Sequence, residues 1–259
     1  MAGRLENEVA IITGCSGGIG KQTAIRFAQE GAKLVICARR LEKLLETKEI
    51  CEQAGAEVLA LRCDVSVMDD LKELVEQAVN TFGRIDILIN NAVTAEPGTP
   101  FMEQSEEYLT SIFESGFLST WRLMKLCFPY LKESKGRIVN FGSSSGIKGT
   151  LGYSAYGAMK EAIRGLSRTV ANEWGEYGIT CNVLCPTAIG ERAKEFIETL
   201  PEEERTPMAL GFTNVPAVGY IGDAYEDLTP ILVFLASKES HYLTGQCIRA
   251  DGGGSIFAL

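Results

Sequence analysis

Tyr156 and Lys160 are the residues of this 259-residue chain whose types and spacing most clearly indicate chemistry. They stand four positions apart in YGAMK, at the start of a helical stretch, so both side chains should share one helix face. An ammonium favours a nearby phenolate, and we expect Lys160 to lower the phenol's pKa from its ordinary value of about 10. Such a phenol can give a proton to a carbonyl oxygen or take one from an alcohol. The alternative is an ordinary helix, because this spacing is common.

A serine upstream favours the catalytic interpretation. Ser143 ends the predicted strand GRIVNFGS, thirteen residues before Tyr156. Doubly wound sheets bind their ligands at the carboxyl ends of the strands, so a hydroxyl there could polarise the same substrate oxygen. Ser144 and Ser145 are competing choices for this role.

A glycine-rich turn, TGCSGGIG at 13–20, follows the first predicted strand and precedes a helical segment. Gly14, Gly18 and Gly20 permit a tight turn, close backbone approach and close contact between helix and strand, and the helix N-terminus then faces an anionic pyrophosphate. Glycine turns also end strands for purely structural reasons. The strand before and the helix after this turn favour a dinucleotide site.

The end of the second predicted strand bears on the choice of cofactor. A site that prefers NAD usually has an acidic residue there, on the ribose 2′-hydroxyl. This chain has Ala38, followed by Arg39 and Arg40. A guanidinium pairs with a 2′-phosphate in bidentate fashion, so we predict NADP(H), with Arg39 as the main contact and NAD(H) as the less favoured alternative. A solvated arginine pair on a loop is the structural alternative.

Apolar strands and amphipathic helices alternate along the chain, which predicts an α/β fold with a parallel sheet covered on both faces. We expect a single doubly wound domain over 1–259, with the irregular segment 187–228 as a substrate-binding loop or lid. A long helix over 105–133 should be interrupted near Gly116. The predicted strands are 9–13, 33–38, 57–65, 85–92, 136–143, 179–186 and 245–253.

Composition excludes several classes of function. A net charge of −9 argues against nucleic acid or an anionic membrane as a partner. Eight cysteines occur without a CxxC motif, which favours small buried residues in a reducing cytoplasm. The one histidine, His241, rules out a His–His metal site and argues against a Ser–His triad, so no metal is expected. No signal peptide or membrane-spanning apolar run is visible, so we expect a cytoplasmic protein.

Five motifs together resemble the classical short-chain dehydrogenases/reductases, and the resemblance runs from about residue 6 to DGG at 251–253. The motifs are TGCSGGIG, CDV at 63–65, NNA at 90–92, NFGSSSG at 140–146 and YGAMK at 156–160. The family implies a Rossmann-type sheet of about seven strands, a small-molecule substrate and usually a homo-oligomer, tetramer or dimer.

The resemblance implies roles for individual residues. Ser143 would bind and polarise the substrate oxygen, Tyr156 would be the general acid/base, and Lys160 would hold the nicotinamide ribose. Asp64 and Val65 would contact the adenine, and Asn91 and Ala92 would line the cofactor cleft. The residues expected to contact the cofactor are Gly14, Ser16, Gly18, Ile19, Gly20, Arg39, Arg40, Asp64, Val65, Asn91, Ala92, Tyr156, Lys160 and Ile189.

Three motifs depart from the family pattern, at four positions in all. Gly116 stands where the family has a fourth catalytic residue, an asparagine thirteen positions before a proline, which brings the usual water-borne proton relay into question. Val93 replaces the glycine of NNAG and should reshape that wall. Thr187 and Glu191 replace the glycine and threonine of a later turn, from which Ile189 should still offer its backbone to the nicotinamide carboxamide.

The substrate is less clearly indicated. SGFLSTW, KEAIRGLSRTVANEWG and NVLCP resemble a bacterial subgroup of the family. This subgroup includes bile-acid hydroxysteroid dehydrogenases, notably those acting at the steroid 12-position, and it also has glycine in place of the catalytic asparagine. The apolar segment PMALGFTNVPAVGYIG within 187–228 suits a bulky apolar ligand, or equally simple packing of the loop.

Three alternatives remain. A 3-oxoacyl-carrier-protein reductase would need a positive patch for its acidic partner, and the acidic segment AKEFIETLPEEER argues against one. A sugar-nucleotide epimerase or dehydratase would need a longer C-terminal substrate domain. A non-catalytic NADP-binding regulator is compatible with the lost asparagine, but the intact Ser143, Tyr156 and Lys160 argue against it.

Overall fold

The computed structural model describes residues 3–94, 98–189, 197, 199–201, 204 and 216–256. Seven strands form one sheet in the order β3-β2-β1-β4-β5-β6-β9, and every neighbouring pair is parallel. The strands are β1 Val9–Thr13, β2 Lys33–Ala38, β3 Val58–Arg62, β4 Ile87–Asn90, β5 Arg137–Phe141, β6 Thr180–Pro186 and β9 Cys247–Ala250, and β7 Ala188–Ile189 pairs separately with β8 Gly222–Asp223. The predicted α/β class is confirmed.

Helices cover both faces of the sheet, which is why the inner strands consist almost wholly of buried apolar residues. One core lies between the sheet and α1, α2 and α8, and the other lies between the sheet and α3, α5 and α7. The helices are α1 Gly18–Gln29, α2 Leu41–Gln53, α3 Met68–Phe82, α4 Glu106–Ile112, α5 Ser119–Ser134, α6 Ser144–Lys148, α7 Ser154–Trp174 and α8 Thr229–Ala236.

The strand order reverses at β1, and this reversal creates the cleft. From β1 the chain moves outward through β2 and β3, and β4 then returns to the other side of β1. The helices that follow β1 and β4 therefore leave in opposite directions, which opens a crevice at the carboxyl ends of these two strands. The glycine turn after β1 and the NNA motif after β4 meet there.

The predicted interruption of the long helix is confirmed. α4 ends at Ile112, a π-helical turn spans Phe113–Leu118, and α5 continues from Ser119. A π-helical turn accommodates one residue more than an α-helical turn and frequently marks a functional site. Gly116 lies in the middle of it.

Only part of the predicted lid lies in the described residues. β7 and β8 pair across the lid's two ends, joining Ile189 to Asp223, and a second π-helical turn, Ala224–Leu228, leads into α8. Four of the apolar residues expected over the substrate lie outside the described residues: Met208, Leu210, Phe212 and Val215. Glu191, which replaces the threonine of the later turn, also lies outside them. The single domain and its lid at 187–228 therefore stay predictions.

Candidate active site

The glycine turn is so tightly packed that side chains are excluded from two of its positions. A Cβ atom on Gly20 would lie 2.4 Å from the carbonyl oxygen of Gly14, and one on Gly14 would lie 2.7 Å from Asn91 Nδ2. Gly14 and Gly18 also have positive φ angles of 78° and 57°, where glycine is favoured. The sequence-predicted turn therefore has a steric reason for its glycines.

Thr13, which the sequence analysis missed, ties this turn to the NNA motif. Its Oγ1 accepts hydrogen bonds from the backbone N–H groups of Asn91 and Ala92, both at 3.0 Å. In return, Asn91 Nδ2 donates to the carbonyl oxygen of Thr13 at 2.8 Å. These bonds hold the carboxyl ends of β1 and β4 together. The available signal was a hydroxyl residue at the last position of the strand, directly before the glycines.

The N-terminus of α1 is suited to an anion. Its N-cap residue, Gly17, makes no side-chain capping bond, and the first turn contains no acidic residue. The first N–H groups of a helix lack partners within the helix and carry a partial positive charge, so they can cradle a phosphate. A cleft of about 420 Å³ opens here, and its walls include Gly14, Ser16, Ala38, Asn91 and Ala92. The site fits the phosphates of a dinucleotide.

Both predicted arginines line this cleft, at the end where β2 stops. Arg39 and Arg40 are exposed, and Arg40 Nη2 donates to Ser16 Oγ at 3.0 Å. Ala38 ends β2 without a carboxylate. Two guanidinium groups therefore stand where a ribose 2′-substituent would be recognised.

Asp64 and Val65 line the same cleft. Burial opposes ionisation of Asp64, but hydrogen bonds from Ser66 and the nearby charge of Arg39 hold the pKa of its carboxyl below the ordinary value. The Ser66 hydroxyl donates to Asp64 Oδ1 at 2.7 Å. The carboxylate is thereby held in place at the end of β3.

The three sequence-predicted catalytic residues lie together at the carboxyl end of β5. Ser143 follows that strand and caps α6, and its Oγ accepts the backbone N–H of Ser145 at 3.1 Å. The Ser143 side chain is close enough to the Tyr156 hydroxyl to act on the pKa of that phenol, which it lowers. Of the competing serines, Ser144 is buried and contacts Ser255 instead, with 3.4 Å between their Oγ atoms.

Lys160 lies one helical turn beyond Tyr156, with its ammonium 5.6 Å from the centre of the phenol ring. Its side chain is almost wholly buried, and Nζ donates to the carbonyl oxygen of Phe141, the last residue of β5, at 2.8 Å. Burial lowers the pKa of Lys160 to about 8, because an ammonium loses its hydration in an apolar site.

We expected the pKa of Tyr156 to be lowered, but in the chain without a cofactor it is not. Burial raises the pKa of Tyr156 above the ordinary value, because a phenolate is also poorly solvated there, and the nearby Ser143 side chain only partly offsets this. The ring of Tyr153 packs edge-on against that of Tyr156, with 5.8 Å between centroids. At neutral pH the buried phenol is therefore protonated and can donate a proton.

Local packing explains why residue 116 is glycine where the family has asparagine. A Cβ atom on Gly116 would lie 2.5 Å from the sulfur of Met159. Met159 belongs to a small apolar cluster with Ile112 and Ile163, and Tyr156 packs against it. The methionine thus fills the space that an asparagine side chain would need. The Gly116 carbonyl oxygen is also engaged, since it accepts the Thr120 hydroxyl at 2.8 Å.

Ser115 is a second residue that sequence reasoning missed. Its Oγ accepts the backbone N–H of Thr94 at 3.1 Å and donates to the Ser111 carbonyl oxygen at 2.9 Å. These bonds join the π-helical turn to the loop after β4, where Val93 lines the cleft and packs against the Met159 cluster. The available signal was a serine next to the predicted helix interruption.

A second cavity, larger than the dinucleotide cleft at about 730 Å³, has Tyr153 in its wall. Its walls come from the loop after β4, the segment after α6 and the first turns of α7, and include Gly98, Phe101, Leu151 and Gly152. Phe101 and Leu151 are strongly exposed. Apolar side chains at the rim and glycines in the wall suit an apolar molecule.

The described residues contain neither a metal-binding cluster nor a membrane-spanning helix. No group of three or more His, Cys, Asp or Glu side chains is arranged to hold a metal ion. Within the same residues, none of the helices has both the length and the apolar character required to cross a membrane.

We predict that the residues at 116 and 159 are energetically coupled. Gly116→Asn should reduce the free energy of unfolding by about 1–3 kcal/mol, because the new side chain collides with Met159. Met159→Ser should also destabilise the protein, but the double variant should be more stable than the sum of the two losses by at least about 1 kcal/mol. Urea unfolding of the four proteins measures this coupling.

Met124→Ser is the matched control, since Met124 is a buried methionine of α5 outside the Met159 cluster. Its effect should add to that of Gly116→Asn. Strict additivity for Met159→Ser as well would contradict the packing explanation.

Comparisons with known proteins agree with the family resemblance and with the fold. A family model described as enoyl-(acyl carrier protein) reductase matches residues 14–255. The 12alpha-hydroxysteroid dehydrogenase of Clostridium sp. is 39% identical over 97% of this chain and 98% of its own length. The 3-oxoacyl-[acyl-carrier-protein] reductase of Thermotoga maritima is 34% identical over 96% of this chain and 98% of its own length.

A solved structure also has a similar three-dimensional fold. The crystal structure of levodione reductase superposes with a TM-score of 0.86 at 28% sequence identity, covering 98% of both chains. The resemblance inferred from the motifs is thereby confirmed. The chain belongs to the short-chain dehydrogenase/reductase family of oxidoreductases, whose Rossmann fold takes a nicotinamide dinucleotide cofactor.

Proposed function

We propose that this protein is an NADP(H)-dependent oxidoreductase that interconverts a secondary alcohol and a ketone on a bulky apolar substrate, with a hydroxysteroid such as a bile acid as the first candidate. The observation that carries the proposal is the convergence of Ser143, Tyr156 and Lys160 at the end of β5, beside the dinucleotide cleft. A ketone oxygen placed between the Ser143 and Tyr156 hydroxyls would accept a hydrogen bond from each.

The three side chains have separate tasks in this mechanism. A nicotinamide dinucleotide held in the cleft would supply the hydride chemistry. Ser143 orients and polarises the substrate oxygen, and Tyr156 gives it a proton during reduction or takes one during oxidation. Lys160 retains ammonium N–H donors beyond the one used by Phe141, and these can hold the nicotinamide ribose and place a positive charge near the phenol. That charge favours the phenolate which the oxidation direction requires.

Two arginines support NADP(H) over NAD(H). Arg39 and Arg40 stand at the end of β2, where a carboxylate would repel a 2′-phosphate. Ser16, which hydrogen-bonds Arg40, adds a hydroxyl to the same wall. We assign Arg39 the main contact, because Arg40 already has this partner.

The steroid substrate rests on two observations of different kinds. The 12alpha-hydroxysteroid dehydrogenase of Clostridium sp. aligns over nearly its entire length. The cavity beside Tyr153 is large, and Phe101 and Leu151 give it an apolar rim. A rigid, apolar ring system could extend from the Tyr156 hydroxyl past Tyr153 into this cavity.

A 3-oxoacyl-carrier-protein reductase is the second candidate, and the Thermotoga maritima relative favours it. Such an enzyme must bind an acidic carrier protein, for which a net charge of −9 is unfavourable. A homo-oligomer, dimer or tetramer, is proposed for either function on the strength of family membership.

We predict that the purified protein oxidises NADPH in the presence of oxosteroids. The assay follows nicotinamide absorbance across a panel of 3-, 7- and 12-oxo bile acids, small diketones and a 3-oxoacyl thioester. Tyr156→Phe should reduce turnover by at least 100-fold, because the proton donor is lost, and should leave NADPH binding within about twofold.

Tyr130→Phe is the matched control, since it removes a tyrosine hydroxyl from α5, where the ring packs against the core between the sheet and α3, α5 and α7. Turnover by the Tyr156 variant at the wild-type rate would refute its assigned role. Oxidation of NADPH only with the acyl thioester would replace the steroid with the second candidate. NADPH binding with no oxidation of any panel member would favour a regulator.

We predict that Arg39→Ala weakens NADPH binding by at least tenfold and NADH binding by less than threefold, because only NADPH has the 2′-phosphate. Fluorescence titration of each reduced cofactor gives the two dissociation constants. Arg62→Ala, an exposed arginine at the end of β3, is the control and should have little effect on either. Equal losses for both cofactors with Arg39→Ala would show that Arg39 does not recognise the 2′-phosphate.

A further inference from the structure

The side-chain amide of Gln104 makes four hydrogen bonds, which join three segments of the chain. Its Oε1 accepts the Ser154 hydroxyl at 2.7 Å and the backbone N–H of Ala155 at 3.2 Å. Its Nε2 donates to the carbonyl oxygen of Thr99 at 2.8 Å and to that of Gly152 at 3.4 Å. An amide has two acceptor sites on its oxygen and two N–H donors on its nitrogen, so the whole hydrogen-bonding capacity of this side chain is used. We refer to these four bonds as the Gln104 clamp.

The partners of the amide fix its orientation. The backbone N–H of Ala155 can only donate, and the two backbone carbonyl oxygens can only accept. A rotated amide would place its nitrogen against that N–H donor and its oxygen against both carbonyl oxygens, which leaves these groups without partners. Only an amide offers two donors on one side and two acceptor sites on the other without a charge, so glutamine suits this position.

The acceptor end of the Gln104 clamp serves the helix of the catalytic residues. α7 begins at Ser154, and its N-cap residue, Tyr153, makes no side-chain capping bond. The first N–H groups of a helix have no partners within the helix, so they need acceptors from elsewhere. Gln104 supplies such an acceptor to Ala155, which directly precedes Tyr156. A residue outside α7 therefore holds the first turn of this helix, and Tyr156 with it.

The donor end of the Gln104 clamp holds two segments that form the apolar rim of the cavity of about 730 Å³. The loop after β4 contributes Phe101, and the segment between α6 and α7 contributes Leu151; both side chains are strongly exposed. The two segments also touch directly, since the backbone N–H of Gly98 donates to the Gly152 carbonyl oxygen at 3.2 Å. Nε2 of the clamp reaches the same oxygen, so the clamp reinforces this junction.

The wall of the cavity nearest the catalytic group is fixed by backbone contact. A Cβ atom on Gly146 of α6 would lie 2.9 Å from the carbonyl oxygen of Gly157 of α7, so the two helices approach closely there. Both glycines line the cavity. Because Ser143 caps α6 and Tyr156 belongs to α7, this contact sets the catalytic hydroxyls and the cavity wall together. The Gln104 clamp connects this unit to the apolar rim.

We propose that Gln104 is a positioning residue that determines substrate selectivity, because it fixes the apolar rim of the cavity relative to Tyr156. The inference rests on the proposed function and specifies how the site selects its substrate class. A large, rigid ketone must contact the rim while its carbonyl meets Tyr156, and it cannot adapt its length when the rim moves. A small ketone does not reach the rim, so its reaction is independent of the rim's position.

Two substitutions separate the ends of the clamp. Gln104→Glu keeps an acceptor for the first turn of α7, but it loses both N–H donors and sets a carboxylate oxygen against two carbonyl oxygens. Gln104→Met has a similar length and removes both ends. Gln53→Glu and Gln53→Met are the matched controls, since Gln53 is an exposed glutamine at the end of α2.

Steady-state kinetics test the selectivity with the methyl ester of a 12-oxo bile acid, which is uncharged and so is not repelled by the new carboxylate, and with butanedione as the small ketone. Gln104→Glu should raise KM for the ester by at least about fivefold, keep kcat within about twofold, and change kcat/KM for butanedione by less than about twofold. Gln104→Met should in addition lower kcat for both ketones by at least about threefold, because the first turn of α7 loses its acceptor. Both Gln53 variants should match the wild type.

Hydrogen exchange followed by mass spectrometry tests the clamp without turnover. Gln104→Glu should speed exchange by at least about tenfold in the loop after β4, where backbone N–H groups such as those of Gly98 and Glu103 are hydrogen-bonded, and should leave the first turn of α7 unchanged. Gln104→Met should speed exchange in both segments. Unchanged exchange of the loop in both variants would overturn the clamp.

Equal losses for the ester and for butanedione in Gln104→Glu would overturn the selectivity, because the effect would then be general. An unchanged KM for the ester, despite faster exchange in the loop, would also overturn it. A wild type that reduces no ketone would overturn the proposed function and the selectivity with it. Hydrogen exchange needs no substrate, so it would still decide whether Gln104 holds the rim to α7.

Discussion

A lysine ammonium enclosed by the protein, with one backbone carbonyl as its hydrogen-bond acceptor, is the constraint on which the site depends. Lys160 donates to Phe141 O, and within the described residues no carboxylate forms an ion pair with it. Burial of such a group opposes folding, which is why its pKa falls to about 8. The chain tolerates this loss of stability at a position where the remaining N–H groups of Lys160, and its positive charge, are available to a cofactor and to the phenol of Tyr156. Sites that sacrifice stability in this way are typical of function.

The fold makes this arrangement by bringing short local segments together. A single strand end, that of β5, supplies both the carbonyl that accepts from Lys160 and the serine that meets Tyr156. The hydrogen bonds of Thr13 then fix the ends of β1 and β4 relative to each other. Because the strand order reverses between those two strands, the dinucleotide cleft opens beside the catalytic group. Substitutions at the π-helical turn affect the same region, since Ser115 holds the loop after β4 and Met159 packs behind Tyr156.

The secondary-structure elements and the motifs could be predicted from the sequence. Features that depend on which distant residues pack together could not. Apolar runs and glycine positions predicted the parallel sheet, the helices on both faces and the interruption at Gly116, because these depend on local periodicity and backbone freedom. The pKa of Tyr156 is raised, contrary to expectation, because the ring is buried, in part against residues distant in the chain such as Ile112. Met159 could not be foreseen as the neighbour of Gly116, since helix spacing does not reveal which side chain of another helix faces a glycine. The hydrogen bonds of Gln104 with the first turn of α7 likewise join residues that are far apart in the sequence.

The most direct test of the central claim compares the pH dependence of stability in the wild type and in Lys160→Met without cofactor. The pKa of Lys160 is about 8 in the folded chain and about 10.4 when unfolded, so the unfolded state binds more protons between these values. The stability cost is therefore complete below about pH 8 and disappears as the pH rises towards 10.4. The free energy of unfolding of the wild type should rise across this window, relative to that of the variant, by on the order of 1–3 kcal/mol. Parallel curves for the two proteins would contradict the account, because they would mean that the ammonium is not desolvated in the folded chain.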